Sequence, residues 1–412
     1  MKITHIVQGY YPAHGGTEYF VKRLSENLKS VYDDEVSVLT TFAYNIELFR
    51  NPKSKKINEN HREELVNGVN IKRFDVSNKF WFVRKILYGF SKLLRLPLKE
   101  YFQVYYLGPN SSEMKKYIKG ISGPSIIMAS SFPLMHMYYA LLGKKEGVSV
   151  VLHGALHVED KENYENKRIF EAIRLCDSYI ANTLFEKEYL IDKGIPEDKI
   201  KVIGIGVDLP LEGNKNREKF RNKYSIGRDE ILFAFIGQQA FHKGILNVIH
   251  SFNNLTEKYS NLKLVIAGAP TSFESKIKEE LAGLDKKNKK RIIHLGVISE
   301  DEKNDILSGC DIFVSPSCRE SFGITYIEAW SHRKPVIACN IAAVSSLIDE
   351  YEDGLLINFG DEKELESACV ELIEDSYLRK KLGYNGFNKV KNNYTWDIVA
   401  KKFRDVYLNL NK

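Results

Sequence analysis

The sequence predicts an α/β fold of two domains, each built on a parallel sheet with helices on both faces. Three observations predict it. Short runs rich in β-branched and aromatic residues alternate with helical patterns through most of the chain, as β-α-β units require. At 412 residues the chain is long for one domain and comfortable for two. With 43% hydrophobic residues it carries enough apolar material for two cores, and nothing in its composition suggests disorder.

In the first half, strands are expected near Ile3–Gln8, Val36–Thr40, Val69–Phe74, Ile126–Ala129, Val148–Leu152, Ser178–Ala181 and Lys201–Ile203. In the second they are expected near Ile231–Ile236, Lys263–Ala267, Ile292–Leu295, Ile312–Val314, Val336–Ala338 and Leu355–Ile357. Between them, around Leu209–Arg217, Pro210, Gly213 and Asn214 interrupt the periodicity and a charged stretch follows. The expected domains are therefore 1–212 and 213–394, two Rossmann-like units facing one another across a cleft. A last helix is expected from about Thr395 to Leu410, after the entry Tyr394-Thr395-Trp396-Asp397. There are no internal repeats and no low-complexity segments.

Composition excludes several functions. A formal charge of +6 is modest for this length, and most basic residues are interleaved with acids, so nucleic acid is not an expected partner. The five cysteines (Cys176, Cys310, Cys318, Cys339 and Cys369) are scattered and form no Cys-x-x-Cys, which argues for reduced thiols in a cytosolic protein with no metal site. The opening Lys2-Ile3-Thr4-His5-Ile6-Val7-Gln8 reads as a strand rather than a signal peptide, because Gly9-Tyr10-Tyr11-Pro12 ends it early. No apolar run reaches the length of a membrane span.

Chemistry concentrates in Glu320-Ser-Phe-Gly-Ile-Thr-Tyr-Ile-Glu328. It follows Ile312-Phe313-Val314 and a Ser315-Pro316-Ser317 break, so it reads as a buried strand, a loop carrying one acid, and a helix carrying the other. Gly323 lets the backbone approach a ligand, and the amides of Phe322, Gly323 and Ile324 lie at the expected helix start. A helix N-terminus binds anions through its unpaired N–H groups and its dipole. Carboxylates beside such a site would repel phosphate unless they meet hydroxyls, and a nucleotide-sugar supplies both groups. Taken alone the spacing is common, and a solvated loop acid plus a helix-face charge is the plain alternative.

Further stretches weigh against that alternative. After the first strand, Tyr11-Pro12-Ala13-His14-Gly15-Gly16-Thr17-Glu18 opens a helix over Tyr19–Leu28, and paired glycines there either admit a phosphate or sugar or serve a tight turn of positive φ. His153 ends the run Val148–Leu152 and precedes Gly154, while the nearby His157 reads as a packed or surface residue. Ile236-Gly237-Gln238-Gln239-Ala240-Phe241-His242-Lys243-Gly244 follows the first strand of the second half.

Together these segments resemble the retaining glycosyltransferases of family 4, which have the GT-B fold. The resemblance covers essentially the whole chain, strongest over Ile231–Leu382 and weakest from about Ala43 to Gly123. It implies that Glu320 grips sugar hydroxyls and stabilises charge at the anomeric carbon, and that Glu328 binds the ribose. It implies that Lys243, Gln238 and the amides of Phe322, Gly323 and Ile324 hold the diphosphate, and that His153 contacts the donor sugar. Gly15 and Gly16 would border the acceptor, and the last helix would cross back to the first domain. The implied partners are a UDP-, GDP- or ADP-linked sugar and a glycan or lipid-linked acceptor. No Asp-x-Asp stands near a strand end, so neither an essential divalent metal nor another cofactor is expected, and preorganised donors would meet the leaving charge.

The chain also departs from the family pattern. Gln238 stands where arginine is usual, which removes one cation from the diphosphate site. Arg333-Lys334-Pro335-Val336 replaces Gly-x-Pro-Val, and Ala342-Ala343 with Ser346 replaces a Gly-Gly pair and its glutamate. Asp353-Gly354-Leu355-Leu356 keeps the usual closing turn and strand. Two other readings follow: a sugar phosphorylase or epimerase on the same fold, and a non-catalytic scaffold or sugar-binding partner of another transferase.

The weakly matching stretch has its own pattern. On a helical wheel Arg84, Lys85, Lys92, Arg95 and Lys99 share one side, and Phe82, Val83, Ile86, Leu87, Phe90, Leu93 and Leu94 fill the other. Phe80, Trp81, Phe82 and Tyr88 cluster at the start, and the first acid is Glu100. Such a helix over 82–99 either docks on an anionic membrane surface, placing a cytoplasmic protein on the inner face, or packs its apolar side on the sheet with its cations in water.

Overall fold

The structure is a computed structural model that describes residues 1–13, 15–210 and 215–410. The chain divides into two compact units, Met1–Gly206 with Trp396–Lys412, and Val207–Thr395. The break expected at 212–213 lies outside the described residues.

Among the described residues, the first unit forms a sheet of eight strands: β1 (Lys2–Ile6), β2 (Glu35–Thr41), β3 (Glu63–Val66), β4 (Val69–Phe74), β5 (Ser125–Ser130), β6 (Val148–His153), β7 (Ser178–Ala181) and β8 (Ile200–Val202). Their order is β3-β4-β2-β1-β5-β6-β7-β8. All pairs are parallel except β3 with β4. β3 is not among the expected strands. It is joined to β4 by Asn67 and Gly68 at φ 49° and 79°, a two-residue turn whose left-handed positions suit those residue types. The central strands are buried on both faces, with Ile6, Ile127, Ala129, Val150 and Leu152 in one contiguous core.

The second unit holds β9 (Ile231–Ile236), β10 (Leu262–Ala267), β11 (Ile292–His294), β12 (Ile312–Ser315), β13 (Val336–Cys339) and β14 (Gly354–Ile357). They form a parallel sheet in the order β11-β10-β9-β12-β13-β14. Phe233, Phe235, Leu264, Ile266, Val314 and Ile337 fill its core. Loops at the carboxyl ends of β9 and β12, on adjacent strands, are thereby brought side by side.

The C-terminal helix Trp396–Leu410 packs on α1 (Gly16–Tyr32) in the first unit. Phe403 lies 5.5 Å from Phe20 between ring centres, and Arg404 Nε bonds Asp34 at 2.8 Å. Asp34 also holds the N-terminal ammonium at 2.9 Å. No cysteine is disulfide-bonded; Cys318 is partly exposed and the other four are buried.

Helices α2 (Trp81–Leu93) and α3 (Lys99–Leu107) correct the wheel reading. Arg84 is buried rather than solvated, and its guanidinium donates to the carbonyls of Tyr105, Phe49 and Ser77 at 3.3–3.4 Å. Removal from water holds its pKa below the usual arginine value. The apolar side of α2 does not pack on the sheet: Phe82, Val83, Ile86, Leu87, Phe90 and Leu93 are all exposed.

Candidate functional site

In the second unit, β9 leads through Gly237 and Gln238 into a single helical turn, Phe241–Lys243. Gly244 ends that turn at φ 69° and opens the helix Ile245–Lys258. A side chain at Gly244 would press on the carbonyl oxygen and ring of Pro316, so the lysine loop and the loop after β12 meet at a point only glycine fits. The Cys318 amide donates to the His242 carbonyl at 2.9 Å, a second tie between them. Across this junction Lys243 Nζ lies 2.5 Å from Glu320 Oε1, with both side chains partly buried.

Glu320 leads to Gly323, held at φ 97° before the helix Ile324–Ser331. A side chain at Gly323 would strike the Tyr326 ring, whose hydroxyl donates to the Ser315 carbonyl at 2.7 Å. That bond pins the helix start to the end of β12. The amides of Ile324 and Thr325 open the first turn, where no intrahelical acceptor exists for them. Phe322 is buried against the Tyr394 ring at 5.5 Å, so its side chain serves packing.

Glu328 sits one helical turn further along and bonds Lys303 Nζ through Oε1 at 2.6 Å. Burial pushes its carboxyl above the usual range, against the opposing pull of Lys303. The Lys303 ammonium is lowered by burial but raised more by Glu328 and Glu300, and ends above its ordinary value. No local pattern in the sequence points to Lys303, which comes from the helix Glu300–Gly309.

Gln238 is exposed at the end of β9. Its neighbour Gln239 is buried: Nε2 donates to the carbonyls of Gly268 at 3.1 Å and Leu295 at 2.9 Å, and Oε1 meets His294 Nε2 at 2.9 Å. Gln239 thus stitches the ends of β9, β10 and β11 together, a role the sequence reading omits.

In the first unit, His153 closes β6 and is 1% exposed. Its Nδ1 meets Ser130 Oγ at 2.7 Å and its Nε2 meets Asn182 Oδ1 at 2.8 Å. The ring lies 4.4 Å from Phe20 between centres, and burial lowers its pKa to about 4, so it is neutral near pH 7. Both ring nitrogens are thus engaged within the first unit and the ring is enclosed. Beside it, Glu186 accepts from the Tyr179 hydroxyl at 2.5 Å and the Asn182 amide at 2.8 Å. Burial raises the Glu186 carboxyl to about 7.

Gly15 precedes α1 with φ 178°, an extended conformation open to any residue, so left-handed geometry does not explain it. A side chain at Gly15 would meet only the end of the Glu18 side chain, which can give way. Glu18 accepts from Gln8 Nε2 at 2.9 Å, and burial raises its pKa. Gly16 is the first residue of α1. Among the described residues no group of three or more His, Cys, Asp and Glu could hold a metal ion, and no helix is long and apolar enough to cross a membrane.

Comparison with known proteins bears on the family and the fold. The family model described as Glycosyltransferase Family 4 matches residues 14–210, and the model Glycosyl transferases group 1 matches 216–389. An uncharacterized glycosyltransferase of Methanocaldococcus jannaschii is 26% identical over 259 residues, 62% of this chain and 65% of that protein. The capsular polysaccharide biosynthesis glycosyltransferase CapM of Staphylococcus aureus is 27% identical over 219 residues, 51% of this chain and 56% of its own. The matches thus span less than two-thirds of either relative's length. Among solved structures, sucrose-phosphate synthase of Thermosynechococcus elongatus matches with a TM-score of 0.72 at 16% identity, covering 100% of this chain and 99% of its own. Anabaena HepE, in complex with UDP and glucose, matches with a TM-score of 0.70 at 17% identity, covering 98% and 99%. With family models matched in both halves and likeness to these folds along its whole length, the chain belongs to the family 4 glycosyltransferases, the glycosyl transferases group 1, and has the GT-B fold.

Proposed function

We propose that the protein is a retaining glycosyltransferase that moves a hexose from a nucleotide-diphosphate sugar to a glycan or lipid-linked acceptor. The observation that carries this reading is the Lys243–Glu320 pair at 2.5 Å beside the glycine-led start of the helix Ile324–Ser331. The pair brings a cation and an acid together just ahead of a helix start whose first amides are open, features that suit a sugar diphosphate. Lys243 and the amides of Phe322, Gly323 and Ile324 take the departing diphosphate, so preorganised donors meet its charge without an essential divalent metal. Glu320 grips sugar hydroxyls and stabilises positive charge at the anomeric carbon. Glu328 keeps Lys303 on Oε1 and offers Oε2 to the ribose.

In the transfer, the bond from the anomeric carbon to the diphosphate oxygen breaks while a bond to the acceptor oxygen forms on the same face. The acceptor proton passes to the departing phosphate oxygen. Gly15 and Gly16 border the acceptor. His153 acts by positioning, tying the ends of β5 and β6 to the Asn182 loop through its two ring nitrogens.

Biosynthesis of a cell-surface glycan, a glycolipid or a protein-linked glycan fits this chemistry, and the likeness to CapM supports the first. With a lipid-linked acceptor the work would take place on the cytoplasmic face of a membrane. HepE's complex with UDP and glucose makes UDP-glucose the first donor to try. The test is incubation with UDP-, GDP- and ADP-sugars, following release of free nucleoside diphosphate. Release from one donor, lost in Glu320→Ala, is expected. No release and no thermal stabilisation by any nucleotide would overturn the reading and favour a scaffold in which Gln238 marks lost function.

A further inference from the structure

We propose that the outward face of α2 is a docking surface that inserts into an anionic lipid bilayer. Phe82, Val83, Ile86, Leu87, Phe90 and Leu93 recur at helical spacing, so they form one stripe, and every one of them is exposed. Phe90 and Leu93 are 59% and 76% exposed. The inner side of α2 mixes polar and aromatic groups: Arg84 reaches three backbone carbonyls, Ser91 is buried with its hydroxyl on the Tyr88 carbonyl at 2.8 Å, and the half-buried Tyr88 ring stacks on Tyr106 at 5.7 Å between centres. An ordinary surface helix buries its apolar stripe and wets its polar one. Here the apolar stripe is the one left in water, and Arg84 locks that orientation because turning the helix over would strand its guanidinium. A contiguous apolar patch of this kind marks an interaction site.

Charge identifies the occupant. No aspartate or glutamate occurs from Val76 to Lys99, whereas Lys79, Lys85, Arg95 and Lys99 are exposed around the stripe. The nearby Lys92 is paired with Glu162. Two copies meeting through this face would bring their cations together over an apolar seam, with no carboxylate in that stretch to pair them. A bilayer with anionic headgroups sets counter-charge at the rim and hydrocarbon under the stripe, which suits both features. The inference stands apart from glycosyl transfer, and its test reads lipid binding alone.

The full chain is mixed with vesicles of phosphatidylglycerol and phosphatidylcholine, or of phosphatidylcholine alone, and followed by flotation and tryptophan emission. Trp330 and Trp396 are buried and Trp81 lies on the inner side of α2, so the emission is read from Phe90→Trp, which sets an indole on the stripe. Blue-shifted emission and flotation with the anionic vesicles are expected, with weaker binding to the neutral ones. Phe82→Ser with Phe90→Ser and Leu93→Ser should lower partitioning at least about tenfold without moving the thermal midpoint, since these side chains lie in water. Lys85→Ser with Arg95→Ser and Lys99→Ser should lower binding to the anionic vesicles alone by about tenfold or more. Absence of wild-type binding, or binding that the apolar triple variant leaves unchanged, would overturn the proposal. So would a dimer in sedimentation that the same variant dissociates, which would assign the face to a second copy.

Discussion

Lys243 Nζ lies 2.5 Å from Glu320 Oε1, although the two residues are 77 positions apart in the chain. The cation proposed for the diphosphate is thus held by the acid proposed for the sugar, and an incoming nucleotide must compete for it. Glu320→Gln removes both the competitor and a like charge beside the phosphates. Free nucleoside diphosphate should therefore bind several-fold tighter, while transfer falls by at least about a hundredfold because charge at the anomeric carbon loses its partner. Calorimetry on the nucleotide and steady-state release of product check the two halves. Weaker binding together with an unchanged rate would remove Glu320 from both roles.

Lys243→Ala should act in the opposite sense on binding. It deletes a charge-assisted contact and leaves Glu320 facing the phosphates, so nucleoside diphosphate affinity should fall by about tenfold or more. The affinity for the bare nucleoside should stay where it was. Equal loss of both ligands in the same titration would mean that Lys243 supports the loop rather than the phosphate.

Gly244 carries the junction on which this geometry depends. At φ 69°, with the Pro316 carbonyl against its Cα hydrogen, Gly244→Ala meets both backbone strain and a clash. A loss of at least about 2 kcal/mol is expected in denaturant unfolding. Because the displaced loops carry Lys243 and Glu320, nucleotide binding should weaken as well. A variant as stable as wild type would show that the loops can part at little cost.

Glu186 predicts a pH dependence of stability. Its carboxyl has a pKa of about 7 in the fold against an ordinary 4.5. Between those values the folded chain keeps a proton that the unfolded chain has released, so the Glu186 contribution is full below 4.5 and is lost as pH rises to about 7. Glu186→Gln cannot titrate and should flatten this limb, although its amide suits the Asn182 N–H less well. His153 and His136, buried neutral with pKa values of about 4, pull the other way in the same window, so the Glu186 share is the difference between the two proteins: in urea unfolding the variant should gain on wild type by a few kcal/mol from about pH 5 to about pH 8.

How much of this was legible in the sequence depends on whether the determinants are local. Glu320, Gly323 and Glu328 could be read because a buried strand, a glycine and a helix start encode one another within a few residues. The hairpin β3–β4 went unread: Asn67-Gly68 is a hairpin turn signal, but Glu63–Val66 is too short and too polar a run to mark a strand. The partners of these residues were not legible. Lys303 meets Glu328, and Ser130 and Asn182 enclose His153, because sheet order sets distant segments side by side. The wheel for α2 separates two stripes but cannot say which one turns inward. Carbonyls of Phe49, Ser77 and Tyr105, from three different segments, decide that by capturing Arg84.

Gln238 offers a gain rather than a loss. It is exposed at the end of β9, five positions before Lys243, where the family usually carries arginine. A glutamine donates neutral hydrogen bonds, whereas a guanidinium adds a full charge and a fork that matches phosphate oxygens. With the Gln239 side chain already fixing the local backbone on the Gly268 and Leu295 carbonyls, Gln238→Arg needs no rearrangement of the strand ends. Nucleoside diphosphate should bind about tenfold tighter, with the gain shrinking as salt rises, since an exposed cation is screened. Titration at two ionic strengths decides the point. An unchanged affinity would mean that position 238 lies beyond reach of the phosphates and that Lys243 and the helix amides form the whole anion site.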